Sequence, residues 1–381
     1  MQPLRNWLIV GGIFAVVLIG GAWIILRPLH QDQAIVDAHA TKIVDLPSSV
    51  AGDAFGQAGY HWLDAHTVLF HEPSSDYALD VTTGTQSVPP GITKALALVG
   101  KNASTGLYGW TVSPDGKWAV ASVSPQTAST TSSPPAGSNP LAAVLGGRGG
   151  PAAGSVAWPS TNGHLILTRL DGGKTFDLGP SQGLLSETAW RLDSKGWFQI
   201  SMAVDESGVV SEWSMGGAKP TNKVLETSSK IIPTGVIGAM SNASLLSAGA
   251  GDDEDDSETP TSKAYNVVHF DKGREVVDTS YSYPLSQTTI PVSHDLSPDR
   301  KHIVWSCIKT PGLSGIIMQM AFQQSPFQQE IEVGNVDGSG MRVLMKGSNG
   351  NMSGPTGARW MPDGHHISYI DHGALWSTPV D

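Results

Sequence analysis

The sequence predicts an all-β fold, a six-bladed β-propeller of four-stranded antiparallel blades, preceded by one transmembrane α-helix. Three observations predict it. A tight turn between two apolar runs recurs along the chain, a second strand-and-turn element follows each copy, and an uncharged apolar run lies near the N-terminus.

The turn is clearest at Ser113-Pro114-Asp115-Gly116, set between Trp110-Thr111-Val112 and Trp118-Ala119-Val120. Ser at the first, Pro at the second and Gly at the fourth position suit a type I turn, so the stretch reads as a β-hairpin. Near-copies run from Leu296 to Trp305 around Asp299 and from Trp360 to Tyr369 around Asp363. Two weaker copies keep a Trp before the turn, Trp190-Arg191-Leu192-Asp193 and Trp62-Leu63-Asp64. A sixth, around Asn242, carries Asn where the others carry Asp, a replacement that turns accept. The anchors Asp64, Asp115, Asp193, Asn242, Asp299 and Asp363 stand roughly 50 to 80 residues apart, a period that points to a repeat architecture.

Residues 77–84, 165–173, 209–216, 265–273 and 331–338 each form a β-branched or aromatic run ending in a Gly-containing turn. Each unit then holds strands A to D, with the Asp-anchored turn joining A to B and the second turn joining C to D. Repeated four-stranded units of this kind build a propeller, in which each sheet packs against its neighbours. The pattern resembles the TolB-like propeller repeat, best over residues 110–120 and 331–370, and the six-unit count extends it over residues 48–381. The first, third and fourth units lack Pro at the turn. The last unit stops after its strand C, and residues 39–47 resemble 173–180, the strand D of the second unit. The N-terminal segment is therefore expected to close the last blade and remove the edges of an open array.

Composition narrows the function classes. A formal charge of -11 without Lys/Arg clusters argues against nucleic acid. The single cysteine, Cys307, has no intrachain partner and lacks companions for a cysteine metal site, so it reads as a small core residue. Charged residues are only 15%, with 44 Gly and 25 Pro, a balance of strands and turns.

Residues 7–26, WLIVGGIFAVVLIGGAWIIL, carry no charge and are flanked by Arg5 and Arg27. Twenty residues at about 1.5 Å each span the hydrocarbon core of a bilayer. No small-x-small cleavage site follows, so an uncleaved signal anchor over 7–27 is expected. The implied order is a short tail (1–6), the anchor, a linker (28–38) and the propeller (39–381), with the propeller on the extracytoplasmic, periplasmic side of the inner membrane.

Candidate sites are sparse. Enzymatic propellers work in the central funnel, and the expected D-to-A segments (48–59, 89–107, 179–187, 227–236, 279–292 and 347–357) contain two carboxylates, Asp53 and Glu187, with Asp295 as a third. A glycosidase needs a facing carboxylate pair and a calcium site needs converging oxygen ligands. No Gly-x-Ser-x-Gly elbow is present. The acidic run 252–258 lacks calcium-loop spacing and reads as a solvated insertion, and His61, His66 and His71, five apart, do not form a ligand set. No metal or cofactor is expected. Three long insertions, 123–155, 248–263 and 307–329, fall between strands B and C. The last carries Ile316, Ile317, Met318, Met320 and Phe322, an uncharged Met-rich segment that suits either a local cap on the propeller or an adaptable surface for a protein partner. The expected function is a non-enzymatic interaction or scaffold module displayed on a membrane; the alternative is a hydrolase or small-ligand sensor built on Asp53, Glu187 and Asp295.

Overall fold

Local hairpins become a ring because each sheet presents two apolar faces. The computed structural model describes residues 39–47, 59–72, 75–100, 103–105, 109–125, 163–181, 186–202, 208–229, 236–248, 263–283, 289–309, 328–347 and 354–380. Strand β1 (Thr41–Asp45) comes first. Blade one follows as β2 (Tyr60–Trp62), β3 (Thr67–Glu72), β4 (Ser75–Asp80) and β5 (Gln86–Ser87). Blade two holds β7 (Thr111–Val112), β8 (Trp118–Pro125), β9 (His164–Arg169) and β10 (Thr175–Pro180), with β6 (Ala103–Ser104) as a fifth strand beside the end of β8. Blade three is β11 (Ser186–Trp190) to β14 (Thr221–Ser229), with β12 (Gly196–Met202) and β13 (Gly208–Ser214) between them. Blade four is β15 (Val236–Ala239), β16 (Ser244–Ala248), β17 (Lys263–Asp271) and β18 (Arg274–Tyr283). Blade five is β19 (Thr289–Leu296), β20 (His302–Lys309), β21 (Gln328–Asn335) and β22 (Arg342–Lys346).

Blade six has three strands from the C-terminus, β23 (Thr356–Trp360), β24 (His366–Asp371) and β25 (Ala374–Pro379), and takes β1 as its fourth. Thr41 lies opposite Ser377 and Asp45 opposite Ala374. Leu46 continues the contact, its N–H donating to the Gly373 carbonyl at 2.8 Å. The chain is thus an all-β, six-bladed propeller of antiparallel blades.

The apolar core is divided among the six junctions between blades. Leu46, Tyr60, Phe70 and Leu375 join blades six and one; Leu69, Ile92, Trp110 and Ile166 join one and two. Val120, Leu167, Trp190 and Trp197 fill the next junction, and Phe198, Ile200, Val236 and Leu245 the one after. Tyr265, Tyr283, Trp305 and Cys307 join blades four and five, and Val304, Ile331, Trp360 and Tyr369 join five and six. Cys307 is a buried core residue, 1% exposed. Each blade is therefore held by both neighbours, and the hydrophobic gain depends on the ring as a whole.

The recurring turns have a common geometry. Gly116, Arg300 and Gly364 each donate a backbone N–H to the residue three before, at 2.9 to 3.0 Å, and take φ of 68°, 62° and 72°. This left-handed position is why Gly fits after the Asp, while Ser194 and Arg300 adopt it without being Gly. The Asp side chains cap the turns: Asp64 Oδ1 accepts from the amides of His66 and Thr67, both at 2.8 Å, and Asp363 Oδ1 from those of His365 and His366.

The segment 89–107 is more than a connecting loop. It contains helix α1 (Pro90–Val99), which starts with Pro at its first turn and buries Ile92 and Ala95 between blades one and two. Gly91 lies against the Arg169 carbonyl, where a Cβ would come to 1.9 Å, so only Gly lets the helix dock there. Several of the expected D-to-A segments are also shortened by long outer strands, notably β14 and β18. Among the described residues no helix is long and apolar enough to cross a membrane. The expected anchor over 7–27, Asp53, the acidic run and Ile316 to Phe322 lie outside the described residues.

Candidate functional site

Strands β2, β7, β11, β15, β19 and β23 form the inner edge of the ring, whereas the fourth strands are outermost and mostly exposed, as in β18 and β22. Neighbouring inner strands are tied by side chains. Trp190 Nε1 donates to the Thr111 carbonyl at 3.0 Å, and His294 Nε2 donates to the Val236 carbonyl at 2.8 Å. Asp295 Oδ2 accepts the Trp360 backbone N–H at 2.8 Å, and Arg359 Nη1 donates to the His294 carbonyl at 3.0 Å. Between blades six and one, Trp62 Nε1 donates to Ser368 Oγ at 2.8 Å and the Tyr60 hydroxyl meets the same oxygen at 2.9 Å.

Arg359 is the electrostatic centre of this inner ring. Its charge acts on Tyr60 and His61 of blade one, Glu187 of blade three, and His294 and Asp295 of blade five. Arg359 lies on β23, and His61, Glu187 and Asp295 lie on β2, β11 and β19, each the innermost strand of its blade. Two of the sequence candidates, Glu187 and Asp295, thus stand on inner strands and both feel the Arg359 charge.

Burial dominates the chemistry there. It pushes the Glu187 carboxyl up to about 8, with Arg359 opposing, because a carboxylate loses water that the channel does not replace. Asp295 is also raised by burial, against Arg359, the Trp360 amide and Arg300. His61 is held down at about 3 by burial, then by Arg359 and His71, and His294 at about 4 by burial and Arg359 despite its bond to Val236. Near neutrality Glu187 is a protonated donor, both histidines are uncharged, and Arg359 is the fixed cation.

These groups are not consumed by one another. Among the described residues the Arg359 side chain makes one hydrogen bond, to the His294 carbonyl, and no direct ion pair with Glu187 or Asp295. Glu187 engages Gln199 Nε2 only through its backbone carbonyl, at 3.1 Å. His61, Glu187, Asp295 and Arg359 are each partly exposed, on the innermost strands of their blades. Glu187 is the second residue of β11, at the end where strand A enters from the D-to-A side, the face that also carries the B-to-C connections.

A second buried polar group lies between blades one and two. His71 Nδ1 meets Asp76 Oδ1 at 2.6 Å, Thr105 Oγ1 lies 3.2 Å from the same nitrogen, and Trp110 Nε1 donates to Asp76 Oδ2 at 2.9 Å. His66, in contrast, lies in the exposed turn beside Thr82. His365 and His366 sit in the last A–B turn, where His366 Nδ1 is 2.7 Å from Asp363 Oδ2. Among the described residues no three His, Cys, Asp or Glu side chains are arranged to hold a metal ion.

No family model and no curated protein matches the chain. Similar solved structures include a putative TolB from Agrobacterium tumefaciens, at 13% identity and a TM-score of 0.45 over 82% of this chain and 90% of that one. A chain of the mitotic checkpoint complex matches at 11% identity and a TM-score of 0.44, over 90% of this chain and 95% of that one. A prolyl endopeptidase matches at 11% identity and 0.42, over 87% of this chain and 52% of that one. The propeller assignment stands on the strand pairing of this chain itself.

Proposed function

We propose that this chain is a membrane-displayed propeller that binds a small ligand in its central channel and offers one face to a partner protein. The ligand reading rests on a single observation: the innermost strands of blades six, three, five and one carry Arg359, Glu187, Asp295 and His61, and among the described residues no hydrogen bond or ion pair joins these side chains to each other. Polar groups withdrawn from water with hydrogen-bonding capacity to spare cost free energy, and clusters of them are a usual mark of a binding site. Binding is favoured over hydrolysis because Asp295 already accepts the Trp360 amide and is less available as a nucleophile or base.

The reading is tested by titrating the full chain, in detergent or nanodiscs, with a set of small anionic, cationic and neutral fragments while following its melting temperature. Saturable stabilisation by one charge class is expected, and product formation during the titration would convert the reading to an enzyme. No stabilisation by any fragment would overturn it.

The partner-binding reading has its own support. Residues 126–162, 249–262 and 310–327 are each bracketed by strands B and C of one blade, and the strand ends that bracket them lie on one face of the ring. Ile316, Ile317, Met318, Met320 and Phe322 are the proposed contact residues. The proposed anchor is 7–27, with the propeller outside the cytoplasm and a linker of about 11 residues that reaches at most roughly 40 Å. Crosslinking in the native membrane, with and without residues 312–328, tests the contact. Protease added outside sealed cells with a permeable outer envelope tests the topology: digestion of the body is expected, and full protection reverses the orientation.

A further inference from the structure

We propose that the group recognised in the channel is a carboxylate, seated between the Arg359 guanidinium and the Glu187 carboxyl group with the His61 ring beside it. The inference rests on the channel-binding reading and adds the chemical class of the ligand. Arg359 is held by one nitrogen to the His294 carbonyl at 3.0 Å, which fixes its planar fork while leaving its other N–H groups for a second acceptor. A fork of that shape matches the two oxygens of a carboxylate.

The surrounding groups argue against the other charge classes. A cationic amine would approach an arginine with no anion paired to it and would need ionised carboxylates. Asp295 has one oxygen occupied by the Trp360 amide, and Glu187 is held as the neutral acid. A phosphate dianion would need more positive charge than one guanidinium beside two carboxyl groups supplies. A monoanion suits a single guanidinium: Arg359 pairs with it through its remaining N–H groups, protonated Glu187 donates to it, and uncharged His61 can donate without adding charge.

Two sources present this group, a free small acid and the C-terminus of a peptide. Acetate, glycylglycine and glycylglycine amide are titrated calorimetrically into the full chain at pH 6.5. Acetate and glycylglycine are expected to bind and the amide is not. Tighter acetate identifies a free acid as the source, and tighter glycylglycine a chain terminus. Arg359→Met is expected to weaken acetate roughly tenfold or more, the scale of a lost charged hydrogen bond. Glu187→Gln keeps a neutral donor, so it retains acetate at pH 6.5. At pH 9, one unit above the Glu187 value of about 8, the wild type is expected to lose about tenfold while Glu187→Gln does not.

If Arg359→Met fails to fold, the same question is answered on the wild type, where acetate should shift the Arg359 side-chain N–H resonances. Acetate affinity unchanged by Arg359→Met, or no shift at Arg359, overturns the proposal. Binding of cationic or neutral fragments without carboxylates overturns the ligand class alone and leaves channel binding standing. Absence of binding by every fragment removes both.

Discussion

The backbone N–H of Asp193 donates to the Asn242 side-chain oxygen at 3.0 Å, joining the A–B turn of blade three to that of blade four. The preceding pair of blades is joined likewise, Asp115 N–H to Ser194 Oγ at 3.1 Å. Turn side chains thus act between blades as well as within them. Inside its own turn Asn242 is replaced by Ser241, whose Oγ accepts the Ala243 amide at 3.1 Å. Asn242→Asp keeps the acceptor and should leave stability within about 0.5 kcal/mol, whereas Asn242→Ala should cost about 1 kcal/mol. Denaturant unfolding of the two variants checks this, and equal loss in both would remove the inter-blade role.

The A–B turns are legible in the sequence because their information is local: Ser, Pro, Asp and Gly each answer a backbone requirement within four residues. Helix α1 also leaves local signals, Pro90 at its start and Ile92, Ala95, Leu96 and Val99 at helical spacing, which the strand repeat obscures. The channel is different. His61 and Arg359 stand almost 300 residues apart and meet only because six blades close. Glu187 and Asp295 are visible as carboxylates near funnel segments, but Arg359 and His294 lie inside inner strands whose alternation gives no sign of an axis. Nothing within a few residues of Arg359 distinguishes it from a solvated strand arginine.

The buried pair of His71 and Asp76 supports the junction of blades one and two. Asp76→Ala leaves the Trp110 indole N–H without the acceptor that now lies at 2.9 Å, and removes the Asp76 contact from His71 Nδ1, which keeps Thr105 Oγ1 at 3.2 Å. A buried donor stripped of its acceptor costs roughly 1–3 kcal/mol and the lost His71 hydrogen bond adds about 1 kcal/mol, so a loss of about 2–4 kcal/mol is expected by calorimetry. Gly109→Ala should match it by another route. The residue has φ of 59°, and a Cβ would stand 2.5 Å from the His71 ring. A melting temperature unchanged in either variant contradicts this account.

Closure by β1 predicts that stability depends on residues remote from the rest of blade six. Leu46 is 8% exposed and packs with Tyr60, Phe70 and Leu375, so Leu46→Ala should cost about 2–4 kcal/mol. Deleting residues 39–47 also exposes the hydrogen-bonding edge of β25 and should promote association as well as lower the melting temperature. Deleting residues 31–36 should do neither. Coincident melting curves for the two deletions would show that the ring does not rely on β1.

The channel also predicts a specific alkaline limb in the stability profile. Glu187 has a folded value of about 8 against an ordinary 4.5, so folding favours its protonated form. Its contribution is complete below 4.5 and is lost as pH rises through about 8. His61 and His294, held at about 3 and about 4 against 6.5, act in the opposite sense. Their contribution is present above 6.5 and is lost as pH falls through those values. Between 4.5 and 6.5 the two effects oppose each other; above 6.5 the Glu187 effect stands alone among these three groups. Unfolding free energy should therefore fall by at most about 2 kcal/mol from pH 6.5 to 8.5, at about 1.36 kcal/mol per unit below the Glu187 value. Glu187→Gln, neutral throughout, should flatten that limb. Arg359→Met removes the charge that draws the Glu187 value down, so the limb should move to higher pH. Parallel profiles for the wild type and Glu187→Gln across this range would show that Glu187 titrates as an ordinary solvated carboxylate and does not face a desolvated channel.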